Sequence, residues 1–221
     1  MPALAAIGDD PANAPLAGNE LRTHHLLLQN DLIRIMRVLV PPGEATGWHE
    51  HNSDYVVAIV NGTKFRGEMR GDPNVLNAEM PTKALQFMKY EGKHVVHRII
   101  NTQSGALNHQ IAFELVKPAA SKFPLGDRSA AAQYKLELDN DRVRSWRLQL
   151  GPGENAGTIT QKAPCVRFVF LGERIMETDA KGKAKELAVR AGDYAWMPDS
   201  ASRTVTNAGN TPLEIVEIEL K

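Results

Sequence analysis

Apolar and polar residues alternate along this chain in short runs, punctuated by glycine, proline and asparagine. Leu32-Ile33-Arg34-Ile35-Met36-Arg37-Val38 interleaves apolar and basic side chains, as a half-buried strand should. Tyr55 to Val60 is apolar and rich in β-branched residues, and it stops at Asn61-Gly62, a turn signal. Val95 to Ile100 and Ile111 to Val116 predict further strands. So do Arg142 to Leu150, Cys165 to Leu171 and Glu214 to Leu220, with a hairpin tip at Asp179-Ala180-Lys181-Gly182. No stretch has the 3.6-residue period of an amphipathic helix of ordinary length. Many short strands at regular spacing predict an all-β sandwich or barrel rather than an α/β fold.

The strand pattern is written twice. Leu28-Gln29-Asn30-Asp31 through Pro42-Gly43-Glu44 reads almost in register with Leu138-Asp139-Asn140-Asp141 through Pro152-Gly153-Glu154. Leu138 lies 110 residues after Leu28, and Arg34, Arg37 and Gly62 fall on Arg144, Arg147 and Gly172 at the same offset. An internal duplication on this scale predicts two similar domains, each long enough to bury a core of its own. The expected layout is an N-terminal arm at 1–20, a first domain at 21–116, a linker at 117–132 containing Pro118 and Pro124, and a second domain at 133–221.

Composition narrows the function classes. The 221 residues carry 26 basic and 26 acidic side chains, so no net charge draws the chain to nucleic acid. No apolar run approaches the ~20 residues of a membrane span. Residues 1–20 hold no Lys or Arg and too short an apolar stretch for a signal peptide. The single Cys165 cannot form an internal disulfide. The expectation is a soluble cytoplasmic protein whose partner is a small molecule, with a homodimer through edge strands or the arm left open.

All seven histidines lie in the first half. His49 and His51 are two apart on a predicted strand and project from one face, while Glu50 between them faces away. His97 stands on a later strand and completes a three-nitrogen face if the sheet curls into a barrel. His24 and His25 are adjacent and point to opposite faces, which marks them as ordinary surface or packing residues. His109, on a closing strand, either lines the barrel or packs as a core or surface histidine.

Gly43-x5-His49-x-His51-x3-Tyr55-x6-Gly62, then His97-x3-Asn101, resembles the two signature motifs of the cupin superfamily. Those read G-x5-H-x-H-x(3,4)-E-x6-G and G-x5-P-x-G-x2-H-x3-N. The resemblance covers both halves and implies a bicupin: two tandem jelly-roll β-barrels. It implies one divalent transition metal per chain (Fe, Ni, Zn or Mn) held by His49, His51 and His97. Tyr55 stands at the glutamate position, with Asp54 just before it. Alternation places Tyr55 inward as a hydrogen-bond or proton donor near the metal, and a bulge would instead bring in Asp54. Gly92 and His94 occupy the Pro and second Gly positions, so His94 is an alternative third ligand.

In the second half Ile159 stands for His49, Gln161 for His51, Cys165 for Tyr55 and Arg203 for His97, followed by Asn207. That set cannot hold a transition metal, because arginine stays protonated. An inward Arg203 needs an anionic partner, most simply an internal glutamate. Cys165 is expected to be a small buried hydrophobe.

Three neutral imidazoles leave a divalent charge uncompensated and positions open, which suits a small anionic substrate. The resemblance implies a metal-dependent enzyme, foremost an Fe(II) dioxygenase with Tyr55 as a catalytic donor. Alternatives are a Zn-, Ni- or Mn-dependent isomerase, lyase or hydrolase, and a non-enzymatic ligand-binding or regulatory module.

Overall fold

In a computed structural model the described residues are 23–116 and 123–221, and they form eighteen strands and no helix. The predicted arm at 1–20, and the first part of the predicted linker with Pro118, lie outside them. The chain divides into two units, 1–118 and 119–221.

The first unit runs β1(His24–Gln29), β2(Ile33–Val40), β3(His49–His51), β4(Tyr55–Asn61), β5(Lys64–Met69), β6(Val75–Glu79), β7(Leu85–Met88), β8(Val95–Asn101) and β9(Asn108–Leu115). The second runs β10(Tyr134–Asp139), β11(Val143–Leu150), β12(Asn155–Gln161), β13(Cys165–Leu171), β14(Arg174–Asp179), β15(Ala184–Ala188), β16(Tyr194–Met197), β17(Ala201–Asn207) and β18(Leu213–Leu220). Each unit folds into two antiparallel sheets in jelly-roll fashion. The first has a five-stranded sheet β1-β2-β9-β4-β7 and a four-stranded sheet β3-β8-β5-β6. The second has β10-β11-β18-β13-β16 and β12-β17-β14-β15, the same order strand for strand.

The duplication survives at the level of single hydrogen bonds. The register of β1 on β2 slips between Leu26 and Leu28, and that of β10 on β11 slips between Leu136 and Leu138. Asn30 Oδ1 caps the following turn by accepting from Leu32 N at 2.8 Å and Ile33 N at 3.0 Å. Asn140 does the same for Arg142 N at 2.9 Å and Val143 N at 3.0 Å. Asn101 and Asn207 are fully buried. Asn101 Nδ2 donates to the Val40 carbonyl at 2.9 Å and to that of Ala106 at 2.7 Å, tying β2 and the loop after β8 together. Asn207 Nδ2 ties Leu150 and Thr211 at 3.1 and 2.8 Å. The motif asparagines are therefore structural, which is why the second unit keeps one without the histidines.

The interiors differ. Tyr134, Trp146, Leu148, Leu150, Ile159, Val169, Ile175, Val205 and Ile215 belong to one apolar cluster that fills much of the second barrel. The corresponding apolar cluster of the first is smaller, with Tyr55, Val57, Ile59 and Ala112 flanked by Met80, Met88 and Tyr90. Polar side chains occupy the rest: Asn108 Nδ2 donates to Thr63 Oγ1 at 2.9 Å, and Gln110 Nε2 donates to Asn108 Oδ1 at 2.6 Å.

Gly62 and Gly43 are demanded for different reasons. A Cβ on Gly62 would sit 1.8 Å from the Met80 carbonyl oxygen, whereas one on Gly43 would meet open space but at φ +76. Gly62→Ala should therefore lower the unfolding free energy by about 1–3 kcal/mol or more, through forced backbone movement. Gly43→Ala should cost only about 1–2 kcal/mol, from the left-handed backbone. Denaturant unfolding of both variants checks this; equal, sub-kilocalorie losses would contradict the close approach at Gly62.

Candidate metal centre

Strand register builds the centre. In the β3–β8 ladder His49 pairs directly with His97, and His51, two residues on, turns to the same side. Ligand atoms of His49, His51 and His97 all lie within 4.8 Å of one another. The rings meet at centroid distances of 4.9 Å (His49–His51), 4.4 Å (His49–His97) and 4.9 Å (His51–His97). On the outward side of β3, Trp48 lies under the guanidinium groups of Arg98 and Arg70, at 4.8 and 5.6 Å from the ring centroid.

Tautomers follow from the partners. His49 Nδ1 donates to the Gly47 carbonyl at 3.1 Å, so its Nε2 carries the lone pair. His51 Nδ1 faces Glu114 Oε1 at 3.6 Å, and the ring turns its Nε2 toward His97. That Nε2 lies 3.0 Å from His97 Nε2. Nitrogens at this separation share either a proton, donated by one neutral ring to the other, or a cation. Burial and the neighbouring imidazoles push His49 down to about 4 and His97 down to about 2, so both rings are neutral. Imidazole nitrogens gathered within 4.8 Å of one another are a donor set that a divalent transition metal takes. The residues fit a divalent transition metal.

The other candidates sort cleanly. Tyr55 stacks on His51 with centroids 4.6 Å apart and planes 21° from parallel, and it meets Tyr90 edge-on. Burial, then Tyr90 and Glu114, raise its phenol well above the ordinary value, so it stays protonated. Asp54 is buried but turned elsewhere: its Oδ1 accepts from Glu91 N at 2.9 Å. His94 does not join the triad; its exposed side chain pairs with Glu50 on the outer surface, at a backbone φ of 49. His109 pairs in register with Leu39, and burial together with nearby Arg37 pushes it down to about 4.

His24 is not the ordinary packing residue that the sequence suggests. Its ring stands edge-on to His49 at 4.8 Å, while His25 is exposed. The Thr23 hydroxyl donates to the Thr46 carbonyl at 3.2 Å, so His24 Nδ1 is the donor in its 3.0 Å contact with that oxygen. Glu114, buried on β9 directly across from Tyr55, is a second residue that motif reading misses. Arg34 on β2 holds its Oε2. The only signal for Glu114 is a lone carboxylate inside the apolar run Ile111 to Val116.

The second barrel answers the same register with different chemistry. Ile159 pairs with Arg203 as His49 pairs with His97. Arg203 donates to Gln161 Oε1 at 2.8 Å and to Glu217 Oε1 at 2.9 Å, so the internal anionic partner expected of it is present. Arg167 also reaches Glu217, at 2.8 Å, and Glu177, at 2.7 Å. Arg128, which falls within the stretch read as linker, is buried against Glu217 and Glu219. A permanent arginine charge thus stands at the register position that His97 holds in the first barrel. Cys165 is fully buried and its thiol is pushed up to about 12, first by burial.

No family model matches the sequence, and no curated protein matches it. Solved structures do. AerE from Microcystis aeruginosa is similar with a TM-score of 0.63 at 8% identity, over 90% of this chain and 97% of that one. A cupin 2 conserved barrel domain protein from Leptotrichia buccalis has a TM-score of 0.55 at 12% identity, over 90% and 88%. Bacillus subtilis oxalate decarboxylase, with Mn(II) centres, has a TM-score of 0.59 at 12% identity, over 90% and 75%. These likenesses establish the fold, two tandem jelly-roll barrels of the cupin type.

Two outcomes follow for the second barrel. Burial alone would raise the Glu217 carboxyl, but Arg128, Arg203 and Arg167 hold it far below the ordinary range. Its stabilisation is thus present above the unfolded carboxylate pKa of about 4.3 and is lost as pH falls below it. Glu217→Gln should cost about 3–5 kcal/mol at pH 7 and flatten the acid limb; denaturant unfolding at pH 7 and pH 3 checks both, and a variant as stable as wild type would refute the network. A thiol reagent should leave native Cys165 unmodified and label one thiol per chain only after unfolding.

Proposed function

We propose that the first barrel binds one divalent transition metal through His49, His51 and His97, and that the protein is a metal-dependent enzyme on a small anionic substrate, an Fe(II) dioxygenase. The observation that carries the reading is the convergence of three imidazoles, with ligand atoms of His49, His51 and His97 within 4.8 Å of one another and no carboxylate among them. Ferrous iron, when bound, would supply the redox chemistry that reaction with dioxygen needs. The chain's own residues do the rest. Neutral imidazoles leave the site's positive charge for an anionic substrate. Gly47 and Glu114 fix ring orientations from behind, and Met80, Met88 and Tyr90 border the lumen with apolar surface that limits water. Tyr55, kept protonated by burial, is a donor and not a base.

A second reading, Lewis-acid lyase, isomerase or hydrolase chemistry with Mn, Ni or Zn, uses the same ligands. The Mn(II) centres of oxalate decarboxylase on this fold favour keeping it.

Elemental analysis of untagged protein separates these. Wild type should carry about one metal per chain, and the His49→Ala/His51→Ala double variant none, because one remaining imidazole cannot hold the ion. Iron, followed by oxygen uptake with a panel of carboxylates, thiols and diketones, supports the dioxygenase. Manganese, nickel or zinc supports the second reading. No metal in wild type after reconstitution removes both.

A further inference from the structure

We infer that Glu114, clamped by Arg34, is a positioning residue of the metal centre that sets the orientation and donor strength of His51. This rests on the metal-binding reading and extends it to a carboxylate outside the triad.

The inference starts from an orphaned atom. His51 Nδ1 is buried and makes no hydrogen bond, and Glu114 Oε1 faces it at 3.6 Å. A buried N–H without an acceptor is costly, and a small rotation of either side chain closes the gap. The carboxylate is divided between two partners. Arg34 takes Oε2 through both Nε and a terminal nitrogen, which leaves Oε1 to the imidazole. The buried ion pair with Arg34 favours the anionic form of the Glu114 carboxyl.

A carboxylate behind an imidazole fixes the tautomer and increases the basicity of the opposite nitrogen. Here that nitrogen is the one 3.0 Å from His97. It also supplies a negative charge to a centre whose ligands are neutral. The second barrel shows what the same register position does without a histidine before it. Glu219 pairs with Arg144 and Cys165 in the ladders, as Glu114 does with Arg34 and Tyr55. Its oxygens go to Arg128 at 3.3 Å and to the Trp146 indole at 3.3 Å. Both positions carry a buried glutamate, but Glu114 alone has an oxygen directed at an imidazole of the triad.

The test measures zinc affinity by chelator competition for wild type, Glu114→Gln and Glu50→Gln. Glu50 lies between the two ligands but faces outward to His94, so Glu50→Gln makes the same change of charge without touching the relay. Glu114→Gln should weaken zinc binding by about 10–100-fold, and Glu50→Gln should leave it within about twofold of wild type. Equal affinity in wild type and Glu114→Gln overturns the inference and leaves the metal site standing. No zinc binding by wild type removes the metal site itself. A second measurement needs no folded variant: in zinc-loaded wild type labelled with 15N-histidine, the His51 Nδ1 proton should be slow to exchange and shifted downfield by its carboxylate partner. A rapidly exchanging Nδ1 proton at the ordinary imidazole position overturns the assignment.

Discussion

The centre of a small β-barrel has little room for water, so every polar group that faces inward must find its partner among the other inward side chains or in a bound ligand. The two halves of this chain meet that constraint in opposite ways. In the second barrel Glu217 gathers Arg128, Arg167 and Arg203, and Gln161 fills the remaining capacity of Arg203. The polar centre is closed, and an apolar cluster packs the rest of the barrel. In the first barrel the polar centre is built instead from three imidazoles whose ring nitrogens converge.

Register is what makes the comparison meaningful. His49 faces His97 and Ile159 faces Arg203 across equivalent strand pairs, so the substitution of arginine for histidine changes the chemistry at a fixed point in space. The supports behind the ligands are equally a matter of register. Arg34 lies across from Glu114 on one side, and Tyr55 lies across from it on the other. Tyr55 then stacks on His51, and Glu114 faces that ring's Nδ1. Two neighbours in a five-stranded sheet thus control the pose of a histidine that belongs to a different sheet.

Much of this was legible in the sequence because it depends on periods of two and on punctuation. The strands at Ile33–Val40, Tyr55–Asn61 and Cys165–Leu171 carry buried apolar faces, the strand Val95–Asn101 is half-buried, and each is visible as an apolar or alternating run. The strand Val75–Glu79 is exposed throughout and left no pattern to read. His49 and His51 were legible because their spacing puts both on one face, and His97 because His97-x3-Asn101 resembles the second cupin motif. His24 was not. Adjacency to His25 shows only that one of the two faces inward, and the choice is made by the pairing of His24 with Val38. Glu114 and Glu217 were invisible for a different reason. A carboxylate among apolar strand residues has no assignable role until the guanidinium that neutralises it is located, and Arg34 and Arg128 come from 80 and 89 residues away.

What the duplicated half kept and what it lost separates the requirements of the fold from those of the site. Asn207 still ties Leu150 to Thr211, Gly172 still ends its strand, and the register slip in β10 is where the one in β1 is. These features close loops and end strands, and any sequence of this topology needs them. The histidines are gone, yet Arg203 stands at the register position of His97 and Glu219 at that of Glu114. The fold therefore does not require a metal at this point; it requires a polar centre whose charges balance. One barrel balances them with its own arginines, and in the other three imidazoles converge instead. The difference between the two barrels is the replacement of His49, His51 and His97 by Ile159, Gln161 and Arg203, with Glu114 turned to an imidazole in the one and Glu217 and Glu219 closed on arginines in the other.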